Sequence, residues 1–210
     1  MNRILIFTLL IFHVNCFAQD EKSDEILKQL SINTKSYKNM NVDFNFHFEN
    51  KTQEINEKED GNIKINGNKF KLELTQRIVI SDDTTQWIYL KESNELSIME
   101  HDPEDDILSP NKLFTIYENG YKNNYVELKE ESEKKIHIID LFPIESNEFT
   151  KIQLHIDAEK IQLKNIILHD KNGGTFTYLI TKFLTNTEMD QKTFNFNSDE
   201  YPDIEIIDLR

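Results

Sequence analysis

The chain is poor in the residues that staple, hinge or break a fold. Of its 210 residues, one is cysteine, five are glycine, four are proline and one is tryptophan. No Pro- or Gly-rich stretch marks a linker, so the chain reads as one domain, long enough for one good core. Basic charge is short as well: 24 Lys and Arg stand against 38 Asp and Glu, a formal net charge of −14. That balance disfavours nucleic acid and anionic membrane surfaces as partners. The apolar run from Ile4 to Phe12 is about half the length needed to span a bilayer.

That run follows Arg3 and gives way to a more polar stretch ending in Cys16-Phe17-Ala18, the layout of a secretory signal peptide. Small residues at Cys16 and Ala18 suit cleavage before Gln19, so residues 1–18 are set aside and 19–210 form the domain. Cleavage there removes the lone thiol, and with it any disulfide or cysteine nucleophile. The signal holds one Arg and no acid, so the remaining 192 residues carry 23 basic and 38 acidic side chains, a formal charge of −15. Lipidation of Cys16 is the alternative, although His13 and Asn15 stand where small and apolar residues are expected.

What the chain does contain is alternation. Val42, Phe44, Phe46 and Phe48 alternate with Asp43, Asn45, His47 and Glu49, the mark of a half-buried strand. The same period of two recurs at Phe70, Leu72 and Leu74, at Ile152, Leu154 and Ile156, and at Phe176, Tyr178 and Ile180. Further strands are expected at Asn62 to Ile65, Ile78 to Ser81, Gln86 to Leu90, Glu95 to Glu100, Tyr125 to Glu130, Ile136 to Leu141 and Ile161 to His169. The total is about eleven. Turn chemistry separates them at Asn66-Gly67-Asn68, Asp82-Asp83-Thr84, Asp157 to Lys160 and Asp170 to Gly174, which makes an antiparallel meander the simplest topology. The apolar phase slips at Asn165, where a bulge or bend is expected.

Two helices are expected. One runs from Asp24 to Tyr37 with Ser23 as N-cap and Ile26, Leu27 and Leu30 on one side. The other opens at Ser109-Pro110 and ends near Gly120, carrying Leu113, Phe114, Ile116 and Tyr117. Two short helices cannot cover so many strands, and the inner face is rich in large apolar groups. A curled, incompletely filled sheet would leave an apolar cavity lidded by the helices and suited to a hydrocarbon ligand. The plain alternative is that these side chains interdigitate as a solid core.

Nothing in the pattern points to catalysis or to a cofactor. His47, His137 and His155 fall at polar strand positions, which reads as surface histidine, and no nucleophile-elbow sequence surrounds any serine. The acidic run His101 to Asp106 lacks the spaced, Gly-centred loop of a calcium site and reads as a solvated loop, as do Glu130, Glu131 and Glu133.

An ordered set of segments resembles the outer-membrane lipoprotein carrier family, LolA, over nearly the whole mature chain. It comprises Ile26-Leu27 to Tyr37-Lys38-Asn39-Met40 before Phe44-Asn45-Phe46, Gly61-Asn62-Ile63 before Lys69-Phe70-Lys71-Leu72, and Ile80-Ser81-Asp82 before Gln86-Trp87-Ile88-Tyr89. Ser109-Pro110, Leu141-Phe142-Pro143, Gly173-Gly174 and Phe194-Asn195-Phe196 before Tyr201-Pro202-Asp203 and Arg210 continue it. The resemblance implies a mainly β (α+β) fold, a half-open antiparallel barrel of about eleven strands with short lid helices, residing in the periplasm. It implies acylated lipoproteins as cargo, an inner-membrane ABC transporter complex as donor and an outer-membrane acceptor. Many members hold the lid with an arginine in the turn before the third strand, but that turn here reads Asn66-Gly67. On this footing the residues expected to touch acyl chains are Phe44, Phe46, Phe48, Phe70, Leu72, Leu74, Trp87, Tyr89, Leu113 and Ile116. Half-barrel domains of similar build can also serve as lipid-responsive sensors or regulatory binding proteins, the alternative function.

Overall fold

The computed structural model describes residues 15–101, 112–131, 133–146 and 148–210. Six strands follow one another as antiparallel neighbours: β1 (Met40–Asn50), β2 (Ile55–Asn66), β3 (Lys69–Leu74), β4 (Arg77–Ser81), β5 (Thr85–Leu90) and β6 (Glu95–Glu100). A second meander is formed by β7 (Tyr121–Glu131), β8 (Lys134–Pro143), β9 (Phe149–Asp157), β10 (Gln162–Asp170) and β11 (Gly174–Thr185). Antiparallel pairing of β1 with β11 joins the two into one sheet. β12 (Glu205–Asp208) then runs parallel along the outer side of β6. In the order β12-β6-β5-β4-β3-β2-β1-β11-β10-β9-β8-β7 the two ends do not pair, so the barrel stays open.

The described residues form twelve strands, in keeping with the expected half-open antiparallel barrel of about eleven, and β12 departs from the meander by pairing parallel. Glu205-Ile206-Ile207-Asp208 is short and does not alternate, and its parallel partner is reached only by a long crossover, which no local turn announces. Two local expectations hold. Gly67 takes φ +61° in the tight turn between β2 and β3, a conformation that glycine adopts without strain. The register of β10 against β9 slips between Leu163 and Asn165, where the apolar phase shifts.

The helix α1 spans Asn15–Ser36, so Ser23 is no N-cap and the expected cleavage point after Ala18 falls within its first turns. Residues 1–14 of the expected signal lie outside the described residues. Ser23 is fully buried in mid-helix, and its hydroxyl donates to the side-chain carbonyl of Asn123 on β7. The bond satisfies the buried hydroxyl itself, with no helix end there to cap. The second expected helix is also corrected. Its Ser109-Pro110 opening lies outside the described residues, and the described part is a single 3₁₀ turn, Lys112–Phe114. The Thr115 amide donates to Lys112 and the Glu118 amide to Thr115, each at 3.0 Å, so the chain closes three-residue steps and never propagates an α-helix.

Pairing lines up apolar side chains on one face, the face that α1 and the 3₁₀ turn cover. One row crosses β1 to β5 as Val42, Ile63, Leu72, Val79 and Ile88. Another crosses from β1 through β11 to β7 as Phe46, Tyr178, Ile166, Leu154, Ile139 and Tyr125. The opposite face of β4 to β6 carries a second cluster, Ile78, Ile80, Tyr89 and Leu96, covered by Phe196, Tyr201 and Ile204 of the C-terminal tail. Tyr89 centres it, with ring centroids 4.5 Å from Tyr201 and 5.5 Å from Phe196 and its hydroxyl on Asn94 at 2.9 Å. Tyr89→Ala is expected to cost about 3 kcal/mol in urea unfolding and to speed amide exchange across the tail. Unchanged protection of the tail would mean that this cluster does not hold it.

Candidate functional site

Between the sheet and its lid lies an apolar cavity of about 390 Å³. This falls in the range of roughly 300–1,000 Å³ common to small-molecule sites. The pleat aims alternate residues into it: Val42, Phe44 and Phe46 from β1, Leu72 and Leu74 from β3, Val79 from β4, Ile88 from β5, and Phe176, Tyr178 and Ile180 from β11. Ile63 and Ile166 complete the apolar wall, and Leu113 and Phe114 of the 3₁₀ turn close the top. The Phe114 ring meets Phe183 edge-on at 5.8 Å, which seats the turn against β11. Phe46 lies 5.1 Å from Tyr178 and Phe48 stacks on Phe176 at 4.6 Å, so half-buried rings form one rim. Glu59, Arg77 and Gln86 are the polar lining residues.

Gly61 shapes this space. It sits between Phe44 and Leu74 in the ladder, and a Cβ there would overlap the Phe44 ring and lie 2.9 Å from Leu74 Cδ2. The absent side chain lets Phe44 lie flat on the strand instead of standing in the cavity, the arrangement by which an aromatic covers a strand glycine.

The structure brings together five of the ten residues expected to touch a ligand: Phe44, Phe46, Leu72, Leu74 and Leu113 line the cavity. Phe48 lies beyond the wall at the aromatic rim. Phe70 is fully buried with its ring edge toward His101, and Ile116 packs against the core. Trp87 and Tyr89 are on the other face altogether, in the cluster under the C-terminal tail. Their neighbours Gln86 and Ile88 face the cavity instead. A period of two says which residues share a face but not which face is inner, and in β4 and β5 both faces are apolar. The missed signal was the Phe194-Asn195-Phe196 and Tyr201 tail, which needs an apolar surface of its own.

The lid is clasped to itself. Glu118, just past the 3₁₀ turn, accepts the Ser31 hydroxyl of α1 at 2.6 Å and pairs with Lys35 at 2.9 Å. Burial pushes the Glu118 carboxyl up, but these two partners outweigh it and hold it below its ordinary value. Beside it the Tyr117 hydroxyl lies 3.4 Å from Thr34, and burial raises its pKa to about 12.

The histidines are less exposed than expected. His137 and His155 are half-buried, bonded to Tyr125 at 3.0 Å and to Gln153 at 3.0 Å, and burial lowers both pKa values. Among the described residues no three His, Cys, Asp or Glu side chains are grouped to hold a metal ion. Residues 102–106 of the acidic run lie outside the described residues.

The family profile of the outer membrane lipoprotein carrier protein LolA matches residues 18–197. The chain belongs to this family. Among solved structures, an uncharacterized conserved protein from Thermus thermophilus superposes with a TM-score of 0.58 at 12% identity, covering 89% of this chain and 99% of that one. A LolA superfamily protein from Nitrosomonas europaea gives 0.46 at 10% identity, over 82% and 97% of the two chains. The Mycobacterium tuberculosis lipoprotein LppX gives 0.49 at 10% identity, over 80% and 98%. A comparison with curated protein sequences finds no match. The fold is therefore the half-open barrel of the family.

Two outcomes test the site's construction. Gly61→Ala should lower stability by about 1–3 kcal/mol through overpacking and weaken binding of an environment-sensitive apolar dye. Unchanged values of both would show that Phe44 does not depend on the missing Cβ. The second concerns the clasp. A carboxyl whose folded pKa is depressed contributes stability above its ordinary value of 4.5, lost as pH falls through the lower folded value. The gap in Tm between the native protein and Glu118→Gln should therefore be full at neutral pH and close under acid. A gap that does not change with pH would contradict the clasp.

Proposed function

We propose that the protein is a periplasmic carrier that shields the acyl chains of lipoproteins in its apolar cavity and moves them from the inner to the outer membrane. An inner-membrane ABC transporter complex would load it and an outer-membrane acceptor would unload it. The apolar cavity under a clasped lid is the observation that carries this proposal. Membership of the carrier family supports it.

The physical need is large. Each methylene kept from water is worth about 0.8 kcal/mol, so a long acyl chain exposes roughly 10 kcal/mol of unfavourable hydration. A carrier must offset most of that cost and still release its load, which favours an apolar, yielding wall over a tight polar clamp. Most of the wall is made of Val, Leu, Ile and Phe side chains, and no covalent step is required. Of the residues expected from the sequence, Phe44, Phe46, Leu72, Leu74 and Leu113 are proposed to touch acyl chains, joined by Val79, Ile88, Ile166, Phe176, Tyr178 and Ile180.

Depleting the protein from its host should leave outer-membrane lipoproteins at the inner membrane, seen by membrane fractionation. Protein purified from its own periplasm should carry acyl-bearing cargo in native mass spectrometry. Normal sorting together with empty protein would rule the carrier role out and leave a regulatory binding protein as the alternative.

A further inference from the structure

β7 ends the sheet on one side, and among the described residues no strand pairs along its outer edge. It is eleven residues long and contains no proline. A free edge of that length offers a row of unpaired N–H and C=O groups to another strand, and short strands or local charge pairs are common ways of blunting one. The other end of the sheet is blunted so: β12 has four residues, and its Asp208 is tied to Arg210 at 2.7 Å. β7 instead leaves Val126 and Leu128 41% and 46% exposed. The contacts that hold α1 to β7 run to its cavity side, where Ser23 and Asp24 meet the Asn123 side chain and the Lys22 ammonium lies 3.9 Å from the centre of the Tyr125 ring.

Pairing with β8 fixes which way the side chains of β7 point. Lys122, Asn124, Glu127, Lys129 and Glu131 stand opposite Phe142, Asp140, Ile138, Ile136 and Lys134, on the face away from the cavity. Asn123, Tyr125, Leu128 and Glu130 share the other face, opposite Leu141, Ile139, His137 and Lys135. Val126 is the extra residue of a bulge between the two halves. If a second β7 lies antiparallel beside this one, facing residues must share a face, because a slip of one residue turns every side chain over.

One register meets that condition in both halves and also sets unlike charges together. It places Lys122 opposite Glu131 and Asn124 opposite Lys129 on one face, with Tyr125 opposite Leu128 and Asn123 opposite Glu130 on the other. Each pair occurs twice through the two-fold axis. Sliding one copy by two residues in one direction sets Lys122 against Lys129, which repels. Sliding it the other way sets Glu127 against Leu128, which lie on different faces.

We infer that β7 pairs with the β7 of a second copy of this chain, antiparallel and in this register, so that two twelve-stranded sheets run on as one across an axis near Val126 and Glu127. The Lys122 ammonium of each copy meets the Glu131 carboxylate of the other. Glu131 already holds Lys129 at 2.7 Å on its own strand, so each end of the interface gathers three charges. The two Glu127 side chains lie diagonally across the axis, a like-charge contact that keeps the association weak. The cavity, walled by β1 to β5 and β11, is left free, so this inference stands apart from what the cavity holds.

Sedimentation velocity of the purified protein over a concentration series should show a monomer–dimer equilibrium. Lys122 and Glu131 are exposed, so reversing either charge leaves the core intact, which an unchanged Tm checks. Lys122→Glu and, separately, Glu131→Lys should each weaken the dimer about tenfold or more, because each sets two like-charge pairs in place of two unlike ones. The double variant carrying Lys122→Glu and Glu131→Lys exchanges the charges and should recover the dimer even if one single variant folds poorly. A native protein that stays monomeric throughout the series would overturn the inference. So would a dimer indifferent to both reversals, or a double variant that stays as weak as the single ones.

Discussion

An open sheet with one face apolar from β5 across to β7 must find cover for that face, and here one α-helix and one 3₁₀ turn supply it among the described residues. The cover is unequal to the area. Where α1 lies down, Ile26, Leu27 and Leu30 pack with Leu154, Ile156 and Ile166 into a core with almost no exposed surface. Where it does not reach, Phe46, Phe176 and Tyr178 stay half-buried. Core and cavity are thus one apolar pattern, and the lid alone decides which part is which.

Two details keep the uncovered part from collapsing into a filled core. Phe44 of β1 lies over Gly61 of the neighbouring strand β2, so its ring folds onto the sheet. The lid, for its part, is held by polar contacts at its margin, with Glu118 between Ser31 and Lys35. Lys35 is well exposed, and an ion pair of that kind is worth about 0–1 kcal/mol. Burying another long apolar side chain beneath the lid would be worth more, at about 1.5–3 kcal/mol. The clasp is thus weak beside the burial of Leu113, Phe114 and Tyr117, and it is that burial which lid opening, as the proposed transfer of an acyl chain needs, must offset.

Strands were readable because the period of two survives in most of them: Val42 to Phe48, Phe70 to Leu74 and Ile152 to Ile156 each place one face inward. The bulge at Asn165 was readable for the same reason, as a break in that period. What stayed hidden depends on partners distant in sequence. Trp87 and Tyr89 are expected to touch acyl chains, yet the aromatic tail with Phe196 and Tyr201 folds back and claims them. Ser23 has the chemistry of a cap, but Asn123, a hundred residues away, takes its hydroxyl. Arg77 carries no motif at all. Only the fold, which sets it opposite Leu90 and in the cavity wall, reveals where it stands.

Under the proposed function the hydrocarbon lies on one face of the sheet, between β1 to β5, β11 and the 3₁₀ turn. Photo-cross-linking with a diazirine-bearing acyl chain, mapped by peptide mass spectrometry, measures this directly. Adducts are predicted on inner-face residues such as Phe46, Val79, Ile88 and Tyr178, with none on Trp87 or Tyr89. Adducts concentrated on the outer face, or spread without preference over both faces, would contradict it.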